Sequence, residues 1–165
     1  MDYYIPSDDL LDAMKSRFLT PPEGQYETVR KGKRWRQDMQ IEGMQFDQRE
    51  DNAKMQKLQV RFRVPATASA NAGRGFTEFF DFDFEAMENG TPANMVMRTT
   101  INYNNLVSLM GAIGGVDGPV VPGQIAANAD EYRGQLCSAQ IVVGPDKTGV
   151  ERQSVSNYNR PIDEM

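Results

Sequence analysis

The chain contains no histidine, one cysteine and one tryptophan in 165 residues. Without histidine the commonest general base, the usual catalytic triads and most transition-metal sites are gone together. The lone Cys137 cannot form an internal disulfide, which favours an intracellular, reducing setting. No apolar run approaches the roughly 18–20 residues that span a bilayer, so no membrane role is expected. The opening Met1-Asp2-Tyr3-Tyr4-Ile5-Pro6 lacks the basic and apolar regions of a secretory signal. The expectation is a single domain over 1–165 with its own core, no cofactor, no bound metal and no catalytic residues.

Charge is present but unevenly placed. The formal net charge is −5, yet Thr28 to Gly75 carries 11 Lys/Arg against 5 Asp/Glu, leaving 7 against 18 elsewhere. An acidic average therefore does not exclude an anionic partner, because the field a partner feels is local. Within the basic half, Lys57-Leu58-Gln59-Val60-Arg61-Phe62-Arg63-Val64 alternates apolar and polar residues, the period-two signature of a half-buried strand. Its outward set, Lys57, Gln59, Arg61 and Arg63, holds no acid and predicts a floor for an anionic ligand. Arg30-Lys31-Gly32-Lys33-Arg34-Trp35-Arg36 packs five cations around the only tryptophan. Cations track phosphates, and an aromatic face can stack on a base for about 1–3 kcal/mol. The alternative for Trp35 is a core tryptophan flanked by solvated charges.

A strand is expected over 25–35, bent at Gly32, followed by a polar loop over 37–53. Residues 65–75, small and flexible, read as a hairpin loop that either closes Arg74 over a nucleic-acid strand or merely connects. Phe76 to Glu85 reads as a strand with Phe76, Phe80, Phe82 and Phe84 on one face and Thr77, Phe79, Asp81, Asp83 and Glu85 on the other. Three carboxylates two apart suggest Mg²⁺ or Ca²⁺ less than they suggest pairing with Arg61, Arg63 or other cations on a neighbouring strand, since such side chains stand roughly 6–7 Å apart. A helix is predicted from Thr99 or Thr100 to Ile113, burying Ile101, Leu106, Leu109, Met110 and Ile113. Val116 to Asp130 reads as loop. Strands follow at 136–143, with Cys137, Ala139, Ile141 and Val143 inward, and at 150–158. A short helix over 7–18 precedes everything, either capping the barrel end or reaching a partner chain.

Five strands, a bend in the first and a helix between the third and fourth is the plan of the OB-fold, a small Greek-key barrel. The layout resembles that of bacteriophage OB-type single-stranded-DNA-binding proteins. The residues carrying the resemblance are Pro22-Glu23-Gly24-Gln25-Tyr26-Glu27, Leu58 to Val64, Asn105 to Gly114, Tyr132 to Ala139, and Val155 to Pro161. It implies a mainly β protein: an N-terminal helix or arm (1–20), a five-stranded OB-like barrel (21–159) and a short acidic tail (160–165). It also implies a phage-encoded homo-oligomer in the cytoplasm of an infected bacterial host. There it would protect single strands during replication, recombination or repair, with proteins of those processes as further partners. Arg30, Lys31, Lys33, Arg34, Arg36, Lys57, Arg61 and Arg63 would meet phosphates. Trp35 and Phe79 would stack, with Tyr103 and Tyr158 as further aromatic candidates. The rival readings are a virion assembly protein whose β-barrel binds protein partners, and a metal-dependent nuclease built on Asp81, Asp83 and Glu85.

Overall fold

A computed structural model of the chain describes residues 2–8, 18–68, 70–115 and 119–162. Six strands form one antiparallel sheet: β1 (Glu27–Val29), β2 (Gly32–Gln48), β3 (Met55–Arg63), β4 (Gly75–Asp83), β5 (Leu136–Pro145) and β6 (Glu151–Asn159). Four helices separate β4 from β5: α1 (Phe84–Asn89), α2 (Ala93–Ala112), α3 (Pro122–Ala127) and α4 (Ala129–Tyr132). The sheet order is β4-β3-β2-β5-β6, with β1 as a short ribbon on β2.

The organising element is β2. It runs 17 residues, through most of the stretch expected to be a polar loop. Trp35, Gln37, Met39 and Ile41 alternate into the core. Gln37 breaks the apolar pattern but is satisfied there: its Oε1 accepts from Trp35 Nε1 at 3.1 Å and from Asn71 Nδ2 at 3.2 Å. A register shift between Ile41 and Gly43 then moves the inward phase by one residue, so that Met44 and Phe46 continue it. The first half of β2 pairs with β5 and the second half with β3.

The sheet is open. No ladder joins β4 to β6 among the described residues, so in place of the five-stranded barrel expected there are six strands in a sheet that does not close. Instead the sheet curls until Tyr158 of β6 meets the rings of Phe62 and Phe80, at centroid distances of 5.8 and 6.4 Å. Helix α2 packs on both unpaired edges, β4 and β6. It begins earlier than predicted and buries Thr99, Leu106, Leu109 and Met110. Ile101, expected inside, is 53% exposed. Thr99 Oγ1 accepts from Asp83 N at 2.9 Å, tying the helix to the end of β4.

The core alternation of β3, β4 and β5 matches expectation: Leu58, Val60, Phe62, Phe76, Phe80, Phe82, Cys137, Ala139, Ile141 and Val143 are all buried. Phe84 does not continue β4. Asp83 accepts from Ala86 N at 2.9 Å and caps α1, which ends the strand. The predicted N-terminal helix falls almost wholly on residues 9–17, and the tail's last three residues are 163–165; both lie outside the described residues.

Candidate nucleic-acid interface

With Trp35, Gln37, Met39 and Ile41 inward, the other side of β2 looks outward, and cross-strand registry arranges its neighbours in rows. From the start of β2 these are Arg34–Val142–Ser154 and Arg36–Gln140–Ser156. Beyond the bulge come Gly43–Arg61–Thr77, Gln45–Gln59–Phe79 and Asp47–Lys57–Asp81. Clefts follow this face from one end to the other.

The first cleft exists because two backbones nearly touch. A Cβ on Gly32 would lie 2.2 Å from the Val143 carbonyl oxygen, and one on Gly144 would lie 2.1 Å from that of Lys31. Only a glycine pair allows this approach. It brings the β1–β2 turn against the β5–β6 hairpin, and between them opens a cleft of about 620 Å³ lined by Arg30, Lys31, Lys147, Arg152 and Asp146. Asp146 is spent on its own turn. Its carboxylate accepts from Thr148 N at 2.8 Å, Thr148 Oγ1 at 2.6 Å, Val150 N at 3.1 Å and Arg152 Nε at 3.1 Å. These bonds hold its pKa well below the usual carboxylate range, so it stays ionised. Arg30, Lys31 and Lys147 form no ion pair among the described residues. Lys147 and Arg152 carry no signal of this role in the sequence, because only the glycine contact places them beside Arg30.

The predicted site residues divide into offered and engaged groups. Lys33 lies over the Tyr26 ring at 4.8 Å and Lys57 over Phe79 at 6.0 Å, both exposed. Phe79 is 53% exposed, as its solvent-side position required. Arg34 pairs with Glu27 at 2.6 Å. Arg36 is structural: its Nη2 donates to Ser138 Oγ and to the Asn157 carbonyl, each at 2.9 Å. The acid-free floor expected on β3 is corrected by Glu42 of the neighbouring strand, which lies 3.4 Å from Arg61 and 2.9 Å from Arg63. Glu42 belongs to the stretch whose sequence reads as a polar loop.

Three aromatic or loop expectations also change. Trp35 is 5% exposed and belongs to the core, between the engaged Arg34 and Arg36, so its ring is not offered for stacking. Tyr158 is buried, and Tyr103 donates to the Val120 carbonyl at 2.8 Å. Arg74 does not reach over the face: it donates to Thr20 Oγ1 at 2.9 Å and to the Phe18 carbonyl, while Asn71 donates to the Thr20 carbonyl at 2.8 Å. The 65–75 loop is thereby pinned to residues 18–20.

The three carboxylates at period two go separate ways. Asp81 pairs with Arg98 at 3.3 Å, Asp83 caps α1, and Glu85 accepts from Asn52 Nδ2 at 2.9 Å. Among the described residues no group of three His, Cys, Asp or Glu is placed to hold a metal ion. Burial pushes the Cys137 thiol up to about 12, which leaves it protonated and unreactive at neutral pH. None of the helices among the described residues is long and apolar enough to cross a membrane. In comparisons with known proteins, no family model matches the chain and no curated protein matches it either.

Proposed function

We propose that the chain binds single-stranded DNA, largely without regard to sequence, along the outward face of β2, and that it is an OB-type protein. The observation carrying this reading is the cleft where Arg30, Lys31 and Lys147 converge with no ion pair among the described residues, opening onto the same face that exposes Phe79 beside Lys57. Cations without partners suit phosphates, and an exposed ring suits a base. At ~3.3 Å per residue, a strand of this length offers a track of roughly 55 Å. The long bent strand paired with both β3 and β5, with a helix across the remaining gap, is the arrangement expected of a partly open Greek-key barrel. As the resemblance implies, such a protein would act on single strands during phage replication, recombination or repair in the host cytoplasm.

The test is anisotropy of a labelled dT oligonucleotide titrated at low and high salt. Binding that weakens steeply with salt is the expected result. Absence of binding at low salt refutes the proposal. One observation favours the second reading, a virion assembly protein: Met87, Met97, Ile101 and Val121 are each more than two-fifths exposed around α1 and α2. Sedimentation into large assemblies free of nucleic acid would then be the outcome.

A further inference from the structure

The centre of the outward face carries a glycine that neither backbone nor packing requires. Gly43 does not adopt a left-handed φ, and a Cβ built there would meet no atom within 4 Å. The β2 bulge beside it does not by itself demand glycine. A glycine inside a strand marks either a bulge or a place where another group approaches the backbone closely, and the open space above Gly43 leaves room for the second beside the first. That space is a pocket of about 210 Å³, walled by Gln45, Gln59, Arg61 and Thr77.

Its walls suit a planar heterocycle with a hydrogen-bonding edge. Gln45 and Gln59 stand directly opposite each other across β2 and β3, so their amides present donors and acceptors side by side. Arg61 Nη1 donates to Thr77 Oγ1 at 3.2 Å, which fixes the guanidinium as the opposite wall. Phe79, in the same row as the two glutamines, supplies an exposed ring next to the opening. Carboxylate or phosphate recognition would call for a free cation in the pocket, and Arg61 is already shared with Glu42.

We infer that the pocket over Gly43 seats one nucleobase of the bound strand, with Gln45 and Gln59 reading its edge, so that one nucleotide position is selective within an otherwise sequence-tolerant track. This rests on the outward face being the single-strand track. Phosphate contacts position a strand and carry no sequence information, whereas amide contacts to a base edge do.

The experiment compares fluorescein-labelled dA, dC and dT 12-mers by anisotropy. The variants are Gly43→Leu, which fills the pocket, and the pair Gln45→Ala/Gln59→Ala, which strips its walls. The expected result is a spread of about ten-fold or more among the three oligomers for the wild-type chain. Both variants should erase that spread and keep their circular dichroism melting profile. Equal affinity for all three oligomers, or a spread that survives in both variants, overturns the inference while leaving the proposed function standing. Absence of binding to every oligomer overturns both.

Discussion

Glu78 gives the sharpest test of how this sheet is put together. Registry places it opposite Val60, on the inward side of β4, where the edge strand faces the unpaired gap toward β6. No hydrogen bond or ion pair satisfies it among the described residues, and burial pushes its carboxyl from the ordinary 4.5 up to about 7. The titratable groups coupled around it do not compensate. Tyr158 on β6 has its own pKa raised by burial and by Glu78, its hydroxyl is buried without a partner, and Cys137 is neutral up to about 12. Because the folded pKa is above the unfolded one, the folded state holds its proton longer. Stability therefore carries no penalty below about pH 4.5, falls as pH rises toward 7, and bears the whole penalty above that.

At about 1.36 kcal/mol per pH unit the displacement amounts to at most about 3.4 kcal/mol. Glu78 keeps partial contact with water, so about 1–3 kcal/mol is expected. Glu78→Gln removes the titration. Urea midpoints followed by circular dichroism should coincide for wild type and variant near pH 4.5, apart from a constant offset. By pH 8 they should separate by about 1 M, the variant being the more stable, at an m-value of about 1–3 kcal/mol per M. A difference between the two that stays flat from pH 4.5 to 8 would show that the carboxylate reaches solvent through the gap and is not held protonated by burial.

Trp35 fluorescence should be blue-shifted and change little on adding dT oligomer, since the indole is 5% exposed and hydrogen-bonded to Gln37; strong quenching by DNA would put it back at the interface. Gly32→Ala and Gly144→Ala should each lower the unfolding midpoint sharply, because the new methyl meets backbone at 2.2 and 2.1 Å; a melting temperature within a degree of wild type would contradict the close crossing. Phe79→Ala should weaken oligonucleotide binding by about 1–3 kcal/mol if the ring carries one stacked base, with no change in melting, since Phe79 is 53% exposed; unaltered anisotropy titrations would exclude it from the track.

The parts of the fold legible in the sequence are those where the buried series alternates with little interruption. β3 and β5 bury an alternating apolar series, and β4 does so except at Glu78, so their inward faces follow directly even though Phe79, Leu136 and Val142 stand on the other side. β2 is legible only to Trp35. A glutamine occupies a core position, and the bulge at Gly43 shifts the phase, so Met39, Ile41, Met44 and Phe46 do not read as one series. With that half of the strand hidden, Glu42 is hidden too, and so is the neutralisation of Arg61 and Arg63. Trp35 itself carries a usable signal, since Trp35, Met39 and Ile41 share one parity, but its cationic neighbours favour the functional reading. Ile101 is misplaced for a different reason: α2 has apolar residues on more than one side, so periodicity does not choose the buried one. Lys147 and Arg152 cannot be found from local pattern, because a contact between two distant glycines places them.

The same geometry divides labour along the outward face. At the hairpin end, Arg30, Lys31 and Lys147, without ion pairs among the described residues, line the cleft with Asp146, an acid already held by its own turn. Past the bulge the charges nearly balance: Glu42 lies against Arg61 and Arg63, and Asp47 and Asp81 flank Lys57. If the outward face is the single-strand track proposed above, salt-dependent affinity belongs to the first region and stacking to the second. The rows of Arg34 and Gln45 lie up to roughly 35 Å apart along β2, too far for direct coupling between them. Lys31→Ala/Lys147→Ala should shrink the salt slope of log K by about 0.7 for each phosphate no longer neutralised. Phe79→Ala should lower log K equally at every salt concentration. Combined, the two free-energy losses should add to within about 0.5 kcal/mol. A large non-additive remainder would mean that both regions grip one short stretch of strand, and that the sheet is curled more tightly around its ligand than the open gap between β4 and β6 allows.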